Sequence, residues 1–455
     1  MSEVTAGLAA AVSGKVVGPD HPEYDVSRSL FNAMVDKRPA AIAYCVDEGD
    51  VARAIDHARR EGLRLAVRCG AHNAGGLGSV DDGLVIDLSE MNAAEVDPAA
   101  RTVRVQGGAK LSELDQATHQ HGLAVPIGII GSTGVGGLTL GGGTGHLTRF
   151  AGLTIDHLTA ATVVLADGSI VQTDADHEPD LFWAIRGGGG NFGIVTSFSF
   201  SCVPVKNVVG GPMFWPIERA EEILGWYRGF IGEQPTELGG FFNFHSVPPV
   251  DLFPAEYHLH KVCGVVWCCA DIERADDLLA PARALEPIID GVAEMPLPVL
   301  NTAFDGLYSA GDQWYWRSAF IDSVSDEAVA ANAEWGAKMP TWKSGMHMYP
   351  VDGAAAQVRS EETAWAFRDA KWVQVIVGVD PEPANAAQLR DWAVGYSEAI
   401  EPYAMNGTYL NMIMDEGQER VQSSYRENYP RLAKLKATYD PQNLFNVNQN
   451  ILPAG

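Results

Sequence analysis

The sequence has few basic residues and no long hydrophobic run. Its 32 Lys and Arg residues are outnumbered by 58 Asp and Glu residues, so the formal charge at pH 7 is −26. Nucleic-acid phosphates and anionic membrane surfaces are both bound through clusters of Lys and Arg. No apolar run in the sequence approaches the roughly 20 residues of a membrane-spanning helix. We therefore expect neither a nucleic-acid partner nor a membrane partner.

The sequence is also poor in cysteine, and its six cysteines follow no disulfide or metal-binding pattern. They stand at positions 45, 69, 202, 263, 268 and 269, with no Cys-x-x-Cys pair. The first residues lack the basic segment of a secretory signal, so we expect a cytoplasmic protein with reduced thiols. His258 and His260 precede three of the cysteines on a predicted strand. Zinc is the alternative there, but the spacing fits no compact site, and we expect no metal.

Glycine, in contrast, is abundant and clustered. The 48 glycines among 455 residues exceed the usual share of about 7%, and many fall in the segments 70–76, 128–145 and 187–193. The third segment contains the spacing G-x-G-x-x-G. That dinucleotide fingerprint requires a strand before it and a helix after it, whereas here a helix precedes and a β-branched run follows. We therefore interpret the third segment as a tight turn into a strand.

The first two glycine-rich segments are better candidates for a binding site. Consecutive backbone N–H groups in such loops can bind anions, and two loops can wrap a dinucleotide pyrophosphate, to which Arg68 would add charge. The alternative is that both loops are only structural turns. His72 favours the binding site, because it lies among small residues inside the first loop. A neutral imidazole there can act as a nucleophile or a metal ligand.

The pattern of predicted elements changes twice along the chain. Short strands, helices and glycine loops alternate up to residue 204, and aromatic residues become denser from 205 to 404. The second segment contains predicted strands at 257–270, 314–320 and 372–379 and predicted helices at 219–231, 271–285, 325–338 and 384–400. An amphipathic helix at about 419–439 follows. We therefore predict an α+β fold with divisions near residues 204 and 405.

Five motifs occur in an order that resembles one known family. They are RCGAHN at 68–73, GLVIDLS at 83–89, TGVGGLTLGGG at 133–143, DLFWAIRGGGGNFGIVT at 180–196, and YDPQNLF with NQNI between 439 and 451. Together they resemble the berberine-bridge-enzyme-like branch of the p-cresol methylhydroxylase/vanillyl-alcohol oxidase superfamily. The resemblance implies a two-part FAD-binding domain of the p-cresol methylhydroxylase (PCMH) type, formed by 1–204 and 405–455. It also implies a substrate domain at 205–404, with an antiparallel sheet covered by helices.

The resemblance further implies how FAD is held. In the family, the histidine that matches His72 is joined to the 8α-methyl group of FAD. Many members add a second bond from a cysteine at the position that is Ile130 here, so we expect a single covalent bond. The other cofactor-binding residues expected from the motifs are Arg68, Cys69, Gly70, Ala71, Asn73, Ser132, Thr133, Gly136, Gly137, Gly142, Gly143, Gly193, Val195 and Asn448.

Catalytic residues are expected at Thr133, Tyr409 and Asn411. The resemblance implies that Thr133 lies beside the reactive face of the flavin and helps to admit or exclude oxygen. Tyr409 and Asn411 are similar to a Tyr-x-Asn motif, and on a strand they would share one face. The alternatives are a turn residue for Thr133 and an ordinary strand aromatic for Tyr409. Weaker candidates are His146, His347 and the pair Trp314 and Trp316. The two tryptophans share one face of a predicted strand, and the sequence does not say whether that face is directed to the flavin.

These expectations together predict an FAD-dependent oxidase. It would remove a hydride from a small organic substrate, namely an alcohol, an amine or a phenolic or polyketide-like compound, and dioxygen would reoxidise the flavin. In such enzymes the protein orients the substrate against the cofactor and tunes the cofactor's electronics. One alternative is a dehydrogenase with another electron acceptor, and a more distant one is a non-catalytic flavin-binding protein. The sequence does not give the substrate or the oligomeric state.

Overall fold

The computed structural model describes residues 3–455 and arranges them around three β-sheets. The first sheet has the strand order Val16–Val17, Ala41–Tyr44, Leu84–Asp87 and Leu65–Arg68, and its last three strands run parallel. The helix Glu48–Glu61 links two of them. It begins where Asp47 accepts a hydrogen bond from Asp50 N, and it ends at Gly62, whose φ of 65° favours glycine.

The second sheet is antiparallel, with the order Ala94–Asp97, Thr102–Gln106, Ile194–Ser201, Leu158–Val164 and Ile170–Asp174. Its central strand, Ile194–Ser201, follows the helix Pro179–Ile185 and the third glycine segment. The order is therefore helix, turn and strand, which confirms that the G-x-G-x-x-G spacing is a turn into a strand. Phe198 and Phe200 on this strand are fully buried in the core of the sheet.

The third sheet has eight antiparallel strands and is called the wide sheet below. Its order is Ile289–Asp290, Asn207–Pro216, Lys261–Cys269, Leu238–Ser246, Gly345–Pro350, Trp372–Asp380 and Gln313–Ile321, and Ala293–Pro296 also pairs with Asn207–Pro216. The helices Ala220–Glu233, Ala275–Arg283, Asp326–Ala337 and Ala386–Ile400 contribute buried side chains to the core on one of its faces. The predicted α+β class with an antiparallel sheet covered by helices is confirmed.

The two faces of the wide sheet belong to different core clusters, because successive strand residues alternate between the faces. Trp215, Trp267 and Ile376 pack under the helices, whereas Trp314 and Val375 belong to a separate core cluster that also contains Tyr409. All strands of this sheet lie between residues 207 and 380, and the other two sheets end at residue 201. The division of the chain near residues 204 and 405 stays a prediction that agrees with this distribution.

The remaining helices are short: Glu3–Ala11, Tyr24–Arg28, Leu111–His119, Val135–Leu140, Thr148–Ala151, Leu297–Asn301, Gln418–Tyr425 and Tyr429–Tyr439. The single helix predicted at 419–439 is wrong, because the chain forms two helices separated by the 3-10 turn Arg426–Asn428. Pro430 lies in the first turn of the second helix, where a missing N–H costs nothing. None of the helices in residues 3–455 combines the length and apolarity needed to cross a membrane.

Two further local predictions were wrong. The strand predicted from residue 257 begins only at Lys261, because Leu259 has a φ of 63° and a 3-10 turn, Ala255–Tyr257, precedes it. His258 and His260 therefore do not share a strand face. In the described range 3–455, no group of three His, Cys, Asp or Glu side chains is arranged to hold a metal ion. Similarly, Leu410–Met412 is a 3-10 turn rather than the strand expected around Tyr409.

Candidate active site

A cavity of about 330 Å³ lies between the glycine-rich loops and the wide sheet. The loops contribute residues from the segments 68–73, 128–141 and 189–195, and the wide sheet contributes side chains from three strands, Gln313–Ile321, Gly345–Pro350 and Trp372–Asp380. Residues 409–412, 445 and 447–449 close the remaining side. The volume is in the range of small-molecule sites, and the glycine-rich end and the aromatic end of the cavity differ in chemistry.

His72 lies in the cavity wall where the first two glycine loops meet. Its ring stacks on Phe31 with a centroid distance of 3.8 Å. Its Nε2 atom is 2.9 Å from Ser132 Oγ, and its Nδ1 atom is 3.5 Å from Thr133 Oγ1. Burial, together with the charge of Lys110, lowers the pKa of His72 to about 4. The imidazole is therefore neutral near pH 7, and one ring nitrogen has an available lone pair.

The two loops contact each other backbone to backbone, and only glycine permits this. A Cβ atom on Gly70 would lie 2.5 Å from Gly134 N, and one on Gly134 would lie 2.3 Å from Cys69 Sγ. The Cys69 thiol is directed to Ala109 O at 3.4 Å, and burial raises its pKa to about 12. Cys69 is therefore a protonated packing residue at the loop contact and not a nucleophile.

The glycine-rich end of the cavity has the space and the polar atoms that a dinucleotide needs. An added Cβ atom on Gly137 or Gly190, both of which line the cavity, would have no described heavy atom within 4 Å other than those of its chain neighbours and, for Gly137, of its own helix backbone. Two buried polar atoms, Arg68 Nη1 and Asn448 Oδ1, have no partner among residues 3–455. One is a donor and the other an acceptor, and both belong to side chains that line the cavity. The residues present therefore fit FAD.

Arg68 does not add net charge as the sequence suggested. Its Nη2 atom is 2.6 Å from Asp87 Oδ2 and also donates to Ser27 O at 2.7 Å. The Arg68 guanidinium and the Asp87 carboxylate are both buried, so they form an internal ion pair. The ion pair fixes the end of the strand Leu65–Arg68, and the N–H groups of Nη1 are left without a hydrogen-bond partner in the described part of the chain.

Most of the residues expected to bind the cofactor line this cavity: Arg68, Cys69, Gly70, Ala71, His72, Asn73, Thr133, Gly136, Gly137, Gly193, Val195 and Asn448. Ser132 contacts His72 but does not line the cavity. Gly142 and Gly143 do not line it either. Their φ angles are 125° and 81°, and added Cβ atoms would lie within 3 Å of Trp365 and Thr154. The structural reason for these two glycines is therefore a tight packed turn.

Tyr409 and Asn411 line the cavity next to this turn. The Tyr409 Oη atom accepts hydrogen bonds from Gly143 N at 2.9 Å and from Asn411 Nδ2 at 3.0 Å. Asn411 Nδ2 also donates to Leu138 O at 2.9 Å. Burial raises the pKa of Tyr409, and these hydrogen bonds oppose part of the increase. The phenol is therefore neutral near pH 7 and is oriented by two donors.

The wide sheet forms an aromatic wall opposite the glycine loops. Trp314 and Trp316 both line the cavity, whereas Arg317 Nη2 donates to Tyr315 Oη at 2.8 Å outside the cavity lining. The structure therefore shows that Trp314 and Trp316 face the cavity, which the sequence alone did not determine. His347 also lines the cavity.

For several residues, the structure differs from what the sequence led us to expect about the site. His146 does not line the cavity; it is buried beside Phe241, with ring centroids 5.8 Å apart. Phe31, Tyr308 and Tyr349 do line it, and none was predicted. Tyr349 alternates with His347 on one strand, so period-2 reasoning from His347 is the signal that would have found it. Phe31 stands in a segment with no motif, and no sequence signal marks it.

Comparison with known proteins identifies the family. The model of an FAD binding domain matches residues 39–174, and the model described as berberine and berberine like matches residues 408–452. The chain is 31% identical to the uncharacterized FAD-linked oxidoreductase YgaK of Bacillus subtilis, over 97% of both chains. It is 28% identical to (R)-6-hydroxynicotine oxidase of Paenarthrobacter nicotinovorans, over 98% of both.

Solved structures agree with this. The crystal structure of 6-hydroxy-D-nicotine oxidase from Arthrobacter nicotinovorans matches with a TM-score of 0.86 at 25% identity, over 97% of this chain and 98% of that one. Glucooligosaccharide oxidase from Acremonium strictum, described with a 6-S-cysteinyl, 8α-N1-histidyl FAD, matches with a TM-score of 0.87 at 26% identity over the whole of both chains. The chain belongs to the berberine-bridge-enzyme-like FAD-linked oxidoreductases of the p-cresol methylhydroxylase/vanillyl-alcohol oxidase superfamily.

Proposed function

We propose that this FAD-linked oxidoreductase is an oxidase of a small organic substrate and that His72 holds its FAD through one covalent bond. The observation that carries the proposal is the position of a neutral imidazole in the cavity wall, where the two glycine loops meet. Ser132 and Thr133 place a hydroxyl near each ring nitrogen, which limits the rotation of the ring. A neutral, oriented imidazole is a competent nucleophile.

A single covalent bond is favoured over two. Ile130 lines the cavity at the position where doubly linked family members have cysteine. Cys69, which lies in the opposite loop, is directed to Ala109 O and has a pKa raised to about 12. The histidyl link described for glucooligosaccharide oxidase supports the same type of bond here, without its cysteinyl partner.

Other residues around the cavity would bind the cofactor, position the substrate and transfer its proton. FAD supplies the hydride acceptor, and dioxygen would then take two electrons and two protons to form hydrogen peroxide. The proton that the substrate gives up with its hydride would pass to solvent. Tyr409, which Gly143 and Asn411 orient, would relay this proton by passing on its own phenolic proton as it takes that of the substrate. Trp314 and Trp316 would position the substrate. Gly137 and Gly190 would leave room for the cofactor backbone.

The covalent bond is tested first. Denatured wild-type protein is expected to retain flavin fluorescence on a gel and to show the mass of one added FAD. His72→Ala is expected to lose both signals, and His146→Ala, the histidine next to the second glycine loop, is expected to keep them. Covalent flavin in His72→Ala, or its loss only in His146→Ala, would overturn the assignment of His72.

The electron acceptor is tested separately. Enzyme reduced anaerobically, with dithionite as reductant, is mixed with air-saturated buffer or with a quinone, and flavin absorbance is followed. We expect rapid reoxidation by oxygen with release of one hydrogen peroxide per flavin. Reoxidation by the quinone alone would identify a dehydrogenase on the same scaffold.

A further inference from the structure

The aromatic end of the cavity is uncharged. Across residues 3–455, the cavity lining contains no Asp, Glu or Lys, and its Arg68 is already paired with Asp87 at the glycine-rich end. A charged ligand at the aromatic end would therefore be buried without a counter-ion. Such burial is strongly unfavourable, so charged ligands are expected to be rejected or to bind only in neutral form.

Four aromatic side chains form a continuous surface there. Trp314 has ring-centroid distances of 5.2 Å to Phe31, 5.2 Å to Tyr308 and 5.8 Å to Trp316. All four line the cavity. Aromatic side chains at these distances make favourable edge and offset contacts, and a planar aromatic ligand can extend the same packing.

Three polar atoms interrupt this surface, and each needs a partner. The indole Nε1 atoms of Trp314 and Trp316 and the Nε2 atom of His347 are buried without a hydrogen-bond partner within the described part of the chain. Buried polar groups are almost always paired in native proteins. The unpaired atoms belong to side chains that line a cavity, so a ligand is the natural partner.

His347 is held in a defined state. Its Nδ1 atom is 2.8 Å from Tyr349 Oη, which orients the ring and leaves Nε2 for the cavity. Burial, with a smaller contribution from the nearby His245, lowers the pKa of His347 to about 3. The neutral ring presents either an acceptor or a donor at Nε2. A hydroxyl group can satisfy both forms, whereas an ether oxygen satisfies only one.

We propose that the substrate site takes an uncharged aromatic hydroxy compound, with its ring against Trp314 and Trp316 and its hydroxyl group hydrogen-bonded to His347 Nε2. This inference rests on the proposed function and names its substrate class. The two indole N–H groups would donate to oxygen atoms of the same ligand. A saccharide is disfavoured, because it would bring many hydroxyl groups to a surface that offers three unpaired polar atoms. The named relatives do not select the class, since they include a hydroxynicotine oxidase and an oligosaccharide oxidase.

The ligand class is tested by titrating the flavin-loaded enzyme without oxygen and following the flavin spectrum. The probes are 2-naphthol, its methyl ether, 2-naphthoate and maltose. We expect 2-naphthol to bind at least about tenfold more tightly than the ether, which corresponds to the loss of one hydrogen bond. We expect 2-naphthoate and maltose to bind more weakly still. Equal binding of naphthol and ether, or tighter binding of naphthoate or maltose, would overturn the proposal.

Two variants test the named side chains. His347→Phe keeps a ring but removes Nε2, and Trp316→Phe keeps a ring but removes the indole N–H. His347→Phe is expected to weaken 2-naphthol binding about tenfold and to leave ether binding unchanged, because the ether has no hydroxyl hydrogen to donate to Nε2. Trp316→Phe removes a donor that either oxygen can accept, so it is expected to weaken the binding of both compounds. His146→Phe is the matched control, because His146 is buried but does not line the cavity, and it should retain the preference.

The outcomes separate this inference from the proposed function. If His347→Phe does not fold, Trp316→Phe and the parent's preference for naphthol over ether still decide the result. A parent that holds flavin but prefers maltose or naphthoate overturns only the substrate class. A parent whose flavin is released on denaturation overturns the covalent link and leaves the ligand titration valid.

Discussion

The burial of Asp115 should make the free energy of unfolding depend on pH. Asp115 lies on the helix Leu111–His119, and its Oδ2 atom accepts a hydrogen bond from Asn301 Nδ2 at 2.8 Å. Both side chains are buried. Burial raises the pKa of Asp115 to about 7, from an ordinary value of 3.8, although the Asn301 hydrogen bond opposes this shift. The carboxyl group is therefore protonated in the folded protein in mildly acidic solution.

This contact matters for the site because the same helix is bonded to the loop beside His72. Leu111 N donates to Thr133 O, and Ser112 N donates to Gly131 O. On the other side of the contact, Asn301 ends the helix Leu297–Asn301. Ionisation of Asp115 would therefore place a buried charge between the loop that contains Gly131 and Thr133 and the segment that leads to Tyr308.

The direction and size of the effect follow from the two pKa values. Because the folded pKa is higher than the unfolded one, the favourable contribution is complete below about pH 4 and is lost as the pH rises toward 7. Each pH unit in that interval costs about 1.4 kcal/mol. Between pH 5 and pH 7 the free energy of unfolding should therefore fall by about 2.5 kcal/mol through this group alone.

Chemical denaturation at several pH values measures this. Asp115→Asn is close in shape to the protonated carboxyl group and does not titrate, so its stability should fall by about 2.5 kcal/mol less than that of the parent between pH 5 and pH 7. Asp277→Asn, at an exposed carboxyl, is the control and should follow the parent. Parallel curves for the parent and Asp115→Asn would show that Asp115 is ionised in the folded state and would refute the reasoning.

Three other substitutions test the site directly. Tyr409→Phe removes the acceptor of two buried N–H groups and should slow anaerobic flavin reduction by substrate about 10²- to 10⁴-fold, with unchanged reoxidation in stopped flow; reduction at the parent rate would make Tyr409 a wall residue. Thr133→Leu should slow reoxidation by oxygen about tenfold, which is about 1.4 kcal/mol of barrier, and spare reduction; unchanged reoxidation would mean that oxygen enters elsewhere. Gly137→Leu fills open cavity space and should give folded protein without flavin, measured by absorbance. Gly225→Leu, another helical glycine with free space, should keep its flavin, and full flavin in Gly137→Leu would place the cofactor elsewhere.

The sequence alone determined the family and the fold class. The glycine motifs were readable because backbone-to-backbone contacts and positive φ angles allow little else, as at Gly70 and Gly143. Hydrophobic periodicity located the helices Ala220–Glu233 and Ala386–Ile400 to within two residues at each end. These are local properties, and neighbouring residues in the chain are sufficient to state them.

Local patterns failed where distant contacts decide the backbone. Tyr409 and Asn411 have the spacing of a strand face, yet their side chains meet in a 3-10 turn, because both bind the glycine loop instead of a neighbouring strand. The helix predicted over 419–439 divides where Asn428 Nδ2 donates to the carbonyl groups of Ser360 and Thr363. The sequence pattern does not contain these partners.

Only the tertiary structure decided the chemistry at the aromatic end of the cavity. The pairing of Gln313–Ile321 with Trp372–Asp380 turns Trp314 and Trp316 toward the glycine loops, and the sequence permits either face. Phe31 reaches His72, and Asn301 reaches Asp115, only because separate segments pack together. The pKa of a residue, the pairing of its polar atoms and its exposure to a cavity depend on which distant groups exclude water from it. The folding of the whole chain determines which groups these are.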